Sequence, residues 1–598
     1  MSAFVKKLPK ILLILVLVFV GVMGAVLAFL HSPFFEYPTE GEYPPPYINE
    51  LIWPTIGYPA MVEPGEVLEV EVDLWVGGET GLEEVSGWKA SISPVREELT
   101  GLSFELEPMD VRSGESERWP YRSTEGRSES VWHVSFKVPE EAVPELYDIY
   151  IEADAGGRHV SDGQPHAVAV VEDDDDDFTF VTLSDIHVHE RDNSAPFSAQ
   201  TNKGISESGE PLFFAEAIAQ VNLIRPDFVL MLGDYVRGQR RPGELESEYE
   251  RFYRALLELE VPAFLIPGNH DGYINEIDGK RWYENSIGPL YYSFDVGSCH
   301  FTCLDSYQWP EDDRVVMNKF LYMEPRKWQG QVLSAEDGND PSNYGGQLSW
   351  LGEDLAAHEG GPLRVMAVHH DPYSPDGKGF SYINVNYFGI FRFGGGGEGR
   401  EALLELASSN KVDMVFGGHL HSDELGAVPW DGGGGETLYS CQTCVYFDEG
   451  GESDHYPGYR LVDVEDGEIA SFSYLDDVSS YPFYDGSIPG GTTDLDELDL
   501  RSLDARVLQT MKEGKPYIVV EVDNYLATAM ELAGIVVQAP VSAAEGYVVE
   551  GGELYLTVEM PGKPGRVLLY LRADIGAGIP GEAADRPGDP AVATVIVR

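Results

Sequence analysis

Phe178-Thr179-Phe180-Val181-Thr182-Leu183 runs straight into Ser184-Asp185-Ile186-His187, an apolar strand that ends on two metal-binding donors. The same junction recurs down the chain at Gly233-Asp234, Gly268-Asn269-His270-Asp271, His369-His370-Asp371-Pro372 and Gly418-His419-Leu420-His421. Four of these five blocks directly follow an apolar run, among them Phe228 to Leu232, Val365 to Val368 and Met414 to Phe416. The text between them has helical period. Pro211 to Ile224 carries Phe214, Ile218 and Val221 behind a proline start, and Glu248 to Leu259 carries Phe252, Leu256 and Leu259 on one face. Further helices are predicted over Gln347 to Ala357 and Glu401 to Ala407, and a third strand over Phe264 to Ile266. Strand alternating with helix predicts βαβ units and an α/β core, with the donors gathered where neighbouring strands end. Tyr459 to Val464 and Glu468 to Tyr474 predict a closing hairpin over Asp466-Gly467.

Each block has an innocent reading alone. Asp185 could cap a helix, His187 could be a surface histidine, and Gly-Asp after a strand is usually a turn. The glycine of Gly268-Asn269-His270-Asp271 lets the backbone bend sharply enough to aim two donors inward. His419 and His421 share one face in a strand, or reach two different metals from a loop. Carboxylate, amide and imidazole donors together suit hard-to-borderline divalent ions. Their joint occurrence in this order points to a two-metal hydrolytic centre.

A chain of 598 residues exceeds one core and predicts several domains. With 40 basic and 102 acidic residues, a formal charge of −62, its surface repels nucleic acid and anionic lipid, so no nucleic acid polymer is expected as a partner. The charge reads as a solubility or high-salt adaptation, with specific cation binding as the other reading. Lys6, Lys7 and Lys10 precede an uncharged run from Ile11 to Leu30, which as a helix rises about 30 Å and spans a bilayer core. The basic flank stays cytoplasmic, so residues 1–31 are expected to be a transmembrane anchor with the rest outside the cytoplasm, at the cell surface. A cleaved signal peptide at Val26-Leu27-Ala28, and hence a secreted protein, is the alternative.

Residues 32–60, rich in Pro, Tyr and Glu, read as a stalk. Val67 to Val72, Val131 to Val138 and Tyr147 to Ile151 alternate like half-buried strands, so 61–172 is expected to be a β-sandwich of immunoglobulin-like type. Five aspartates, Asp173 to Asp177, read as a solvated junction, with a calcium site as the other reading. The catalytic domain is assigned to 173–475 and an acidic linker to 476–500. The strand-like stretches Tyr517 to Val522, Leu554 to Val558 and Val567 to Leu571 make 501–598 a second β-rich domain. Cys299, Cys303, Cys441 and Cys444 are open to three readings: disulfides, buried thiols or a thiolate zinc site.

The five blocks resemble the calcineurin-like metallophosphoesterase family, whose pattern runs Asp-x-His, Gly-Asp, Gly-Asn-His-Asp/Glu, His, Gly-His-x-His. Tyr291-Tyr292-Ser293-Phe294, Leu304-Asp305-Ser306, Gln347 to Leu351 and Val412 to Val415 are similar to the family's text too, so the likeness spans about Phe178 to Tyr474. It implies a central α/β domain of four-layer αββα type and says nothing direct about either flank. With the β-rich flanks read above, the fold class expected is a multidomain protein in which all-β, immunoglobulin-like domains flank that centre behind an N-terminal transmembrane helix. The resemblance implies that Asp185, His187 and His421 hold one metal and that Asn269, His370 and His419 hold the other, with Asp234 bridging both. His370 is taken because it stands two before Pro372; His369 is the other candidate. The cofactors implied are two divalent or trivalent ions among Mn, Fe, Zn and Ni. Purple acid phosphatases are similar but carry a tyrosine three residues after the Gly-Asp aspartate and lack the first histidine. Here Arg237 stands at the tyrosine position and His187 is present, which argues against an iron–tyrosinate centre.

Two metals about 3.5–4 Å apart hold a bridging water as hydroxide near neutral pH and align its in-line attack on phosphorus. Two carboxylate ligands against two divalent ions leave a locally cationic pocket inside an acidic protein. His270 is the expected general acid for the leaving alkoxide, and Asp271 either orients it or stabilises the loop. Tyr307 to Tyr344 and Asp371 to Arg400 are expected to carry specificity. Most of their aromatics, such as Trp309 and Tyr382, are expected to pack beneath the loop, with stacking on a base or lipid headgroup as the other reading. Arg392 or Arg237 are candidate phosphate contacts. His189 reads as supporting or idle. The function expected is metal-dependent hydrolysis of a phosphate ester. The alternatives are a phosphodiesterase acting on nucleotides or lipid headgroups, and a cell-surface adhesion protein that uses the domain as scaffold.

Overall fold

The computed structural model describes Gly21, Val332 and residues 48–74, 85–119, 130–172, 175–188, 211–238, 244–272, 279–308, 346–373, 385–387, 391–393, 399–445, 456–483, 502–512, 515–541, 546–579 and 589–598. The apolar run at residues 11–30 lies outside the described residues, apart from Gly21. Among the described residues no helix is long and apolar enough to cross a membrane.

Two sheets face each other at the centre. In the first, Phe178–Leu183, Phe228–Met231 and Ala263–Leu265 are parallel, and Gly458–Glu465 returns antiparallel beside Phe178–Leu183. In the second, Cys299–Leu304, Arg364–His370, Met414–Gly418 and Glu436–Cys441 are parallel, with antiparallel edges at Tyr292–Val296 and Glu424–Pro429. Alternate side chains meet between them. Phe180, Phe228 and Phe264 from one sheet pack with Phe294, Phe301 and Phe416 from the other, and the rings of Phe264 and Phe294 stack 3.6 Å apart. The opposite faces carry helices. Val181, Leu183 and Met231 lie under Leu212–Ile224 and Glu244–Leu256, while Met366, Val368 and Val415 lie under Gln347–Ala357 and Arg400–Ser409. Each sheet is apolar on both faces because both are covered, which gives the four layers. The predicted hairpin is found: Gly458–Glu465 pairs with Glu468–Ser471, and Asp466 and Gly467 take φ of 51° and 73° at its turn.

The N-terminal flank is a continuous path of eight strands in which Phe104–Gly114 pairs with a strand of one group and then with a strand of the other. The all-β character agrees with the sequence reading, but this order does not establish an immunoglobulin topology. Residues 48–60, expected in the stalk, instead bury Leu51–Trp53 and the residues around Tyr58. Gly57 accepts a hydrogen bond from Leu265 N at 2.9 Å, so this segment covers the edge of the first central sheet. The acidic run is likewise tied down at its described end. Asp176 accepts from Ser298 N at 2.7 Å and Asp177 from Asp466 N at 2.5 Å. Asp476 to Phe483, placed in the linker, add the short strand Tyr481–Pro482 beside Gly458 and Tyr459.

The C-terminal strands form two sheets, one of four strands and one of three. They pack against helix Leu212–Ile224. All three regions meet at a buried charge network. Arg96 donates to Glu145 at 2.8 Å and, through two nitrogens, to Glu260 at 3.0 and 2.7 Å. Arg225 lies 3.6 Å from Glu145, and the Tyr570 hydroxyl donates to the same carboxylate at 2.5 Å.

All four cysteines are buried free thiols. Cys299 and Cys303 sit four residues apart on one strand, roughly 13 Å, too far to bridge. None of the four falls in a group of side chains able to share a metal among the described residues.

Candidate metal centre

The donor-bearing blocks leave the carboxyl ends of parallel strands, so two sheets deliver side chains to one place. The backbone there is unusual. Asp185, His187, Asp234, His419 and His421 all have positive φ, between 48° and 69°. Left-handed residues other than glycine cost energy and persist where surrounding structure holds them, which is typical of working sites. Here cross-strand hydrogen bonds hold them: Asp185 N donates to Gly233 O at 3.0 Å and His187 N to Asp234 O at 2.9 Å. Two glycines are required by contact. A Cβ on Gly268 would stand 2.1 Å from Asp234 Oδ1, and one on Gly418 would stand 1.8 Å from Ser184 Oγ.

Two converging sets of donors result. In the first, Asp185 Oδ1 lies 3.2 Å from His421 Nε2 and 3.6 Å from His187 Nε2, and the two imidazole nitrogens are 3.0 Å apart. Ser184 Oγ, at 2.6 Å, and His419 N, at 2.8 Å, donate to the other oxygen of Asp185 and aim the first one inward. In the second, His369 Nε2 lies 3.1 Å from both Asp234 Oδ2 and Asn269 Oδ1, with the His419 ring 5.3 Å from that of His369. Asp234 Oδ2 is also 3.8 Å from His187 Nε2, so this carboxylate faces both sets. Such spacings match the edges of a coordination shell, and the buried carboxylates and imidazoles fit a pair of ions.

The charge states agree with that use. Burial pushes the His187 and His419 imidazoles down, to about 4 and about 3, so both offer lone pairs at neutral pH. Burial also opposes the charge on His369, but the carboxylates of Asp234 and Asp185 outweigh it and lift that imidazole to about 9, so it holds a proton that an ion there must displace. Its Nδ1–H donates to Leu232 O at 2.7 Å, which turns Nε2 toward Asp234. Burial and the neighbouring His419 and His369 keep the His370 imidazole well below its ordinary value. Asp185 and Asp234 would be raised by burial, yet their histidine neighbours hold both well below the ordinary carboxylate value.

Two sequence readings carry alternatives. His369 reaches Asp234 and Asn269, while His369, His370 and His419 each bring a ligand atom within 4.8 Å of the others, so both neighbouring imidazoles stand at the centre. The register of Arg364–His370 against Met414–Gly418 slips between Ala367 and His370, which breaks the strand's alternation at these two residues. His370 takes Ser306 Oγ on its Nδ1 at 2.6 Å and lies with its ring 4.3 Å from that of His419. His369→Ala and His370→Ala are each expected to lower manganese content and to cost about 10²-fold in activity; metal analysis of the two variants checks this. The second concerns Asp271, where the loop-stabilising reading is the one the contacts favour. Its carboxylate accepts from Asp234 N, Gly268 N and Tyr235 N at 2.8 to 3.0 Å, clamping the Gly-Asp loop. Burial and the Asp234 charge push it up to about 7. His270 is oriented instead by the Arg237 carbonyl, which accepts its Nδ1–H at 2.5 Å, and by Asp234 Oδ1, which accepts its backbone N–H at 2.7 Å.

Sequence reasoning also passed over Asp423. It accepts from Thr443 N, Tyr456 OH, Arg460 and Ser480 at 2.5 to 3.2 Å and fastens the loop of His419 and His421 to the closing segments. Only its place two residues after His421 hinted at this. Trp309, Tyr322, Trp328, Tyr344, Tyr382, Phe388 and His189 lie outside the described residues, as does the Arg392 side chain.

Comparison with known proteins agrees with this geometry. The family model for calcineurin-like phosphoesterases matches residues 178–423. Purple acid phosphatase 23 of Arabidopsis thaliana is 26% identical over 28% of this chain, and that match spans only 30% of the plant protein. A probable cyclic nucleotide phosphodiesterase of Synechococcus sp. is 26% identical over 43% of this chain and 80% of its own length. A probable glycerophosphodiester phosphodiesterase of Arcobacter nitrofigilis is 22% identical over 40% of this chain and 71% of its own. Residues 178–423 thus form a domain of the calcineurin-like phosphoesterase family.

Proposed function

We propose that this chain is a two-metal phosphoric ester hydrolase. Asp185, His187 and His421 would hold one ion, Asn269, His419 and His370 (or its neighbour His369) the other, and Asp234 both. The observation that carries the reading is the convergence of two separate donor sets on the shared Asp234 carboxylate. When bound, the ions supply charge neutralisation for the phosphoryl oxygens and a water of lowered pKa. The chain's own part is positional and protonic. Hydrolysis joins a water oxygen to phosphorus and breaks the ester P–O bond, and the departing oxygen takes a proton from His270 Nε2. That nitrogen lies 4.0 Å from Asp234 Oδ2. Because the Arg237 carbonyl keeps a proton on Nδ1, the acid is the imidazolium, which gives up its Nε2 proton and regains one from the water consumed.

His270→Ala is expected to lower kcat by about 10²-fold or more on an alkyl phosphate ester. The loss should be much smaller on a nitrophenyl ester, whose leaving group departs without a proton. Equal losses on the two esters would remove His270 from the acid role. Diesters are the favoured substrate class within this reading. Both phosphodiesterase-named relatives match over most of their length, the acid phosphatase over under a third, and Arg237 occupies the position of the acid phosphatase tyrosine. Parallel assays on a mono- and a bis-nitrophenyl phosphate decide between the classes. The basic-flanked apolar run before His31 supports placing the reaction outside the cytoplasm, anchored to a membrane.

A further inference from the structure

At the opposite end of the second sheet from the metal centre, a second group of metal-binding side chains closes on itself. Its members are Asp295 on strand Tyr292–Val296, His300 on strand Cys299–Leu304, and Asp354 and His358 at the end of helix Gln347–Ala357. Asp295, His300 and His358 each bring a ligand atom within 4.8 Å of the others. What singles them out is how each imidazole is held. His300 Nε2 donates to Asp354 Oδ2 at 2.9 Å, and Asp354 is itself fixed by Ser293 Oγ at 2.7 Å and Thr302 Oγ1 at 3.1 Å. His358 Nδ1 donates to the Asp354 carbonyl at 2.8 Å. Each ring therefore has its rear nitrogen committed to a protein acceptor.

The front nitrogens both face Asp295. His300 Nδ1 is 2.7 Å from Asp295 Oδ1, and His358 Nε2 is 3.9 Å from Asp295 Oδ2. With His358 Nδ1 committed to the Asp354 carbonyl, Nε2 is the nitrogen that faces the Asp295 carboxylate, an arrangement that a cation between them would stabilise. A carboxylate behind a histidine behind a metal is the usual outer arrangement of zinc sites, where it fixes the tautomer and strengthens the ligand. Two imidazoles and a carboxylate, with water at the remaining position, suit zinc better than the harder ions.

We propose that Asp295, His300 and His358 bind a zinc ion at the surface, separate from the catalytic pair, stapling the hairpin Tyr292–Leu304 to helix Gln347–Ala357. Asp354 is its supporting residue. The two rings stack 3.6 Å apart, so the more exposed His358 ring tilts toward Asp295 on binding. Binding displaces the proton that His300 otherwise holds between Asp295 and Asp354. It also competes with the attraction of the nearby Arg118 guanidinium for Asp295.

The test uses the full chain stripped of metal, reloaded with zinc and freed of excess by gel filtration. Wild type is expected to retain one more zinc per chain than His358→Ala or Asp295→Asn, with phosphoesterase activity the same in all three. The His358 and Asp295 side chains are 36% and 55% exposed, so both substitutions spare the core. Imidazole ¹⁵N shifts of wild type, with and without zinc, give a second reading that needs no variant. Equal zinc retention in wild type and both variants, or imidazole shifts of His300 and His358 unmoved by zinc, would overturn the proposal. Loss of the catalytic ions in Asp234→Ala leaves this extra equivalent in place, so this site and the catalytic reading fail separately.

Discussion

Asp234→Ala is expected to lower kcat by at least about 10³-fold on every phosphate ester the chain hydrolyses, about 4 kcal/mol of transition-state stabilisation. The size follows from what the carboxylate does. Its Oδ2 stands 3.1 Å from His369 Nε2, 3.8 Å from His187 Nε2 and 4.0 Å from His270 Nε2, so it faces both donor sets and the general acid. Its Oδ1 accepts the His270 backbone N–H at 2.7 Å. Alanine removes the negative charge between the two ions and the anchor of the acid together. Asp234→Asn separates the two effects, because an amide oxygen still accepts the N–H and asparagine tolerates the φ of 59°. If both losses matter, asparagine retains more activity than alanine yet stays far below wild type. Manganese content, measured beside kcat, should fall in both variants. An alanine variant with wild-type kcat would exclude Asp234 from the reaction.

The second large effect lies far from the chemistry. Glu145→Ala is expected to destabilise the protein by about 3–5 kcal/mol, the usual cost of leaving buried cations without their anion. Glu145 is buried and accepts from Arg96 and from Tyr570, with Arg225 3.6 Å away. Arg225 also donates to Pro144 O at 3.0 Å. Burial pushes the Glu145 carboxyl up, but the guanidinium groups of Arg225 and Arg96 outweigh it and hold the pKa below the ordinary value. A carboxyl depressed on folding stabilises above its unfolded pKa of about 4.3, and that stability is lost as pH falls through the folded value. The difference in thermal midpoint between wild type and Glu145→Ala should therefore be large at pH 7 and shrink below about pH 4. Because the network joins the flanks to the centre, the variant should also lose cooperativity between their unfolding transitions, seen as a broadened calorimetric peak.

Much of this was legible in the chain itself because the centre is built from local signals. A strand followed by Gly-Asp or Gly-His states both the element and the direction in which its donors leave it. Helix Gln347–Ala357 and strand Val67–Val72 fall where their periodicity puts them. The misses have a common cause, which is that they depend on contacts between distant segments. His369 and His370 are neighbours of equal chemistry, and both stand beside His419 where the register against Met414–Gly418 slips, which strand alternation alone does not foretell. Asp271 follows His270 in sequence, yet a helical turn at Asn269–Gly272 sends its carboxylate back to the N–H groups of another loop. Residues 48–60 lack periodicity because they cover a sheet edge with short pieces, Leu51–Trp53 and Ala60–Val62. Asp423 and the Arg237 carbonyl carry no motif at all, and their roles appear only once the closing hairpin and the Gly-Asp loop are folded beside them.

The most direct test of the central claim is a titration of the metal-stripped chain with manganese, following hydrolysis of mono- and bis-nitrophenyl phosphate. The two donor sets predict activity near zero without metal, rising to a plateau only as the second equivalent per chain is bound. Undiminished hydrolysis by the stripped chain, or a plateau reached at one equivalent, would contradict a two-metal centre built on Asp234.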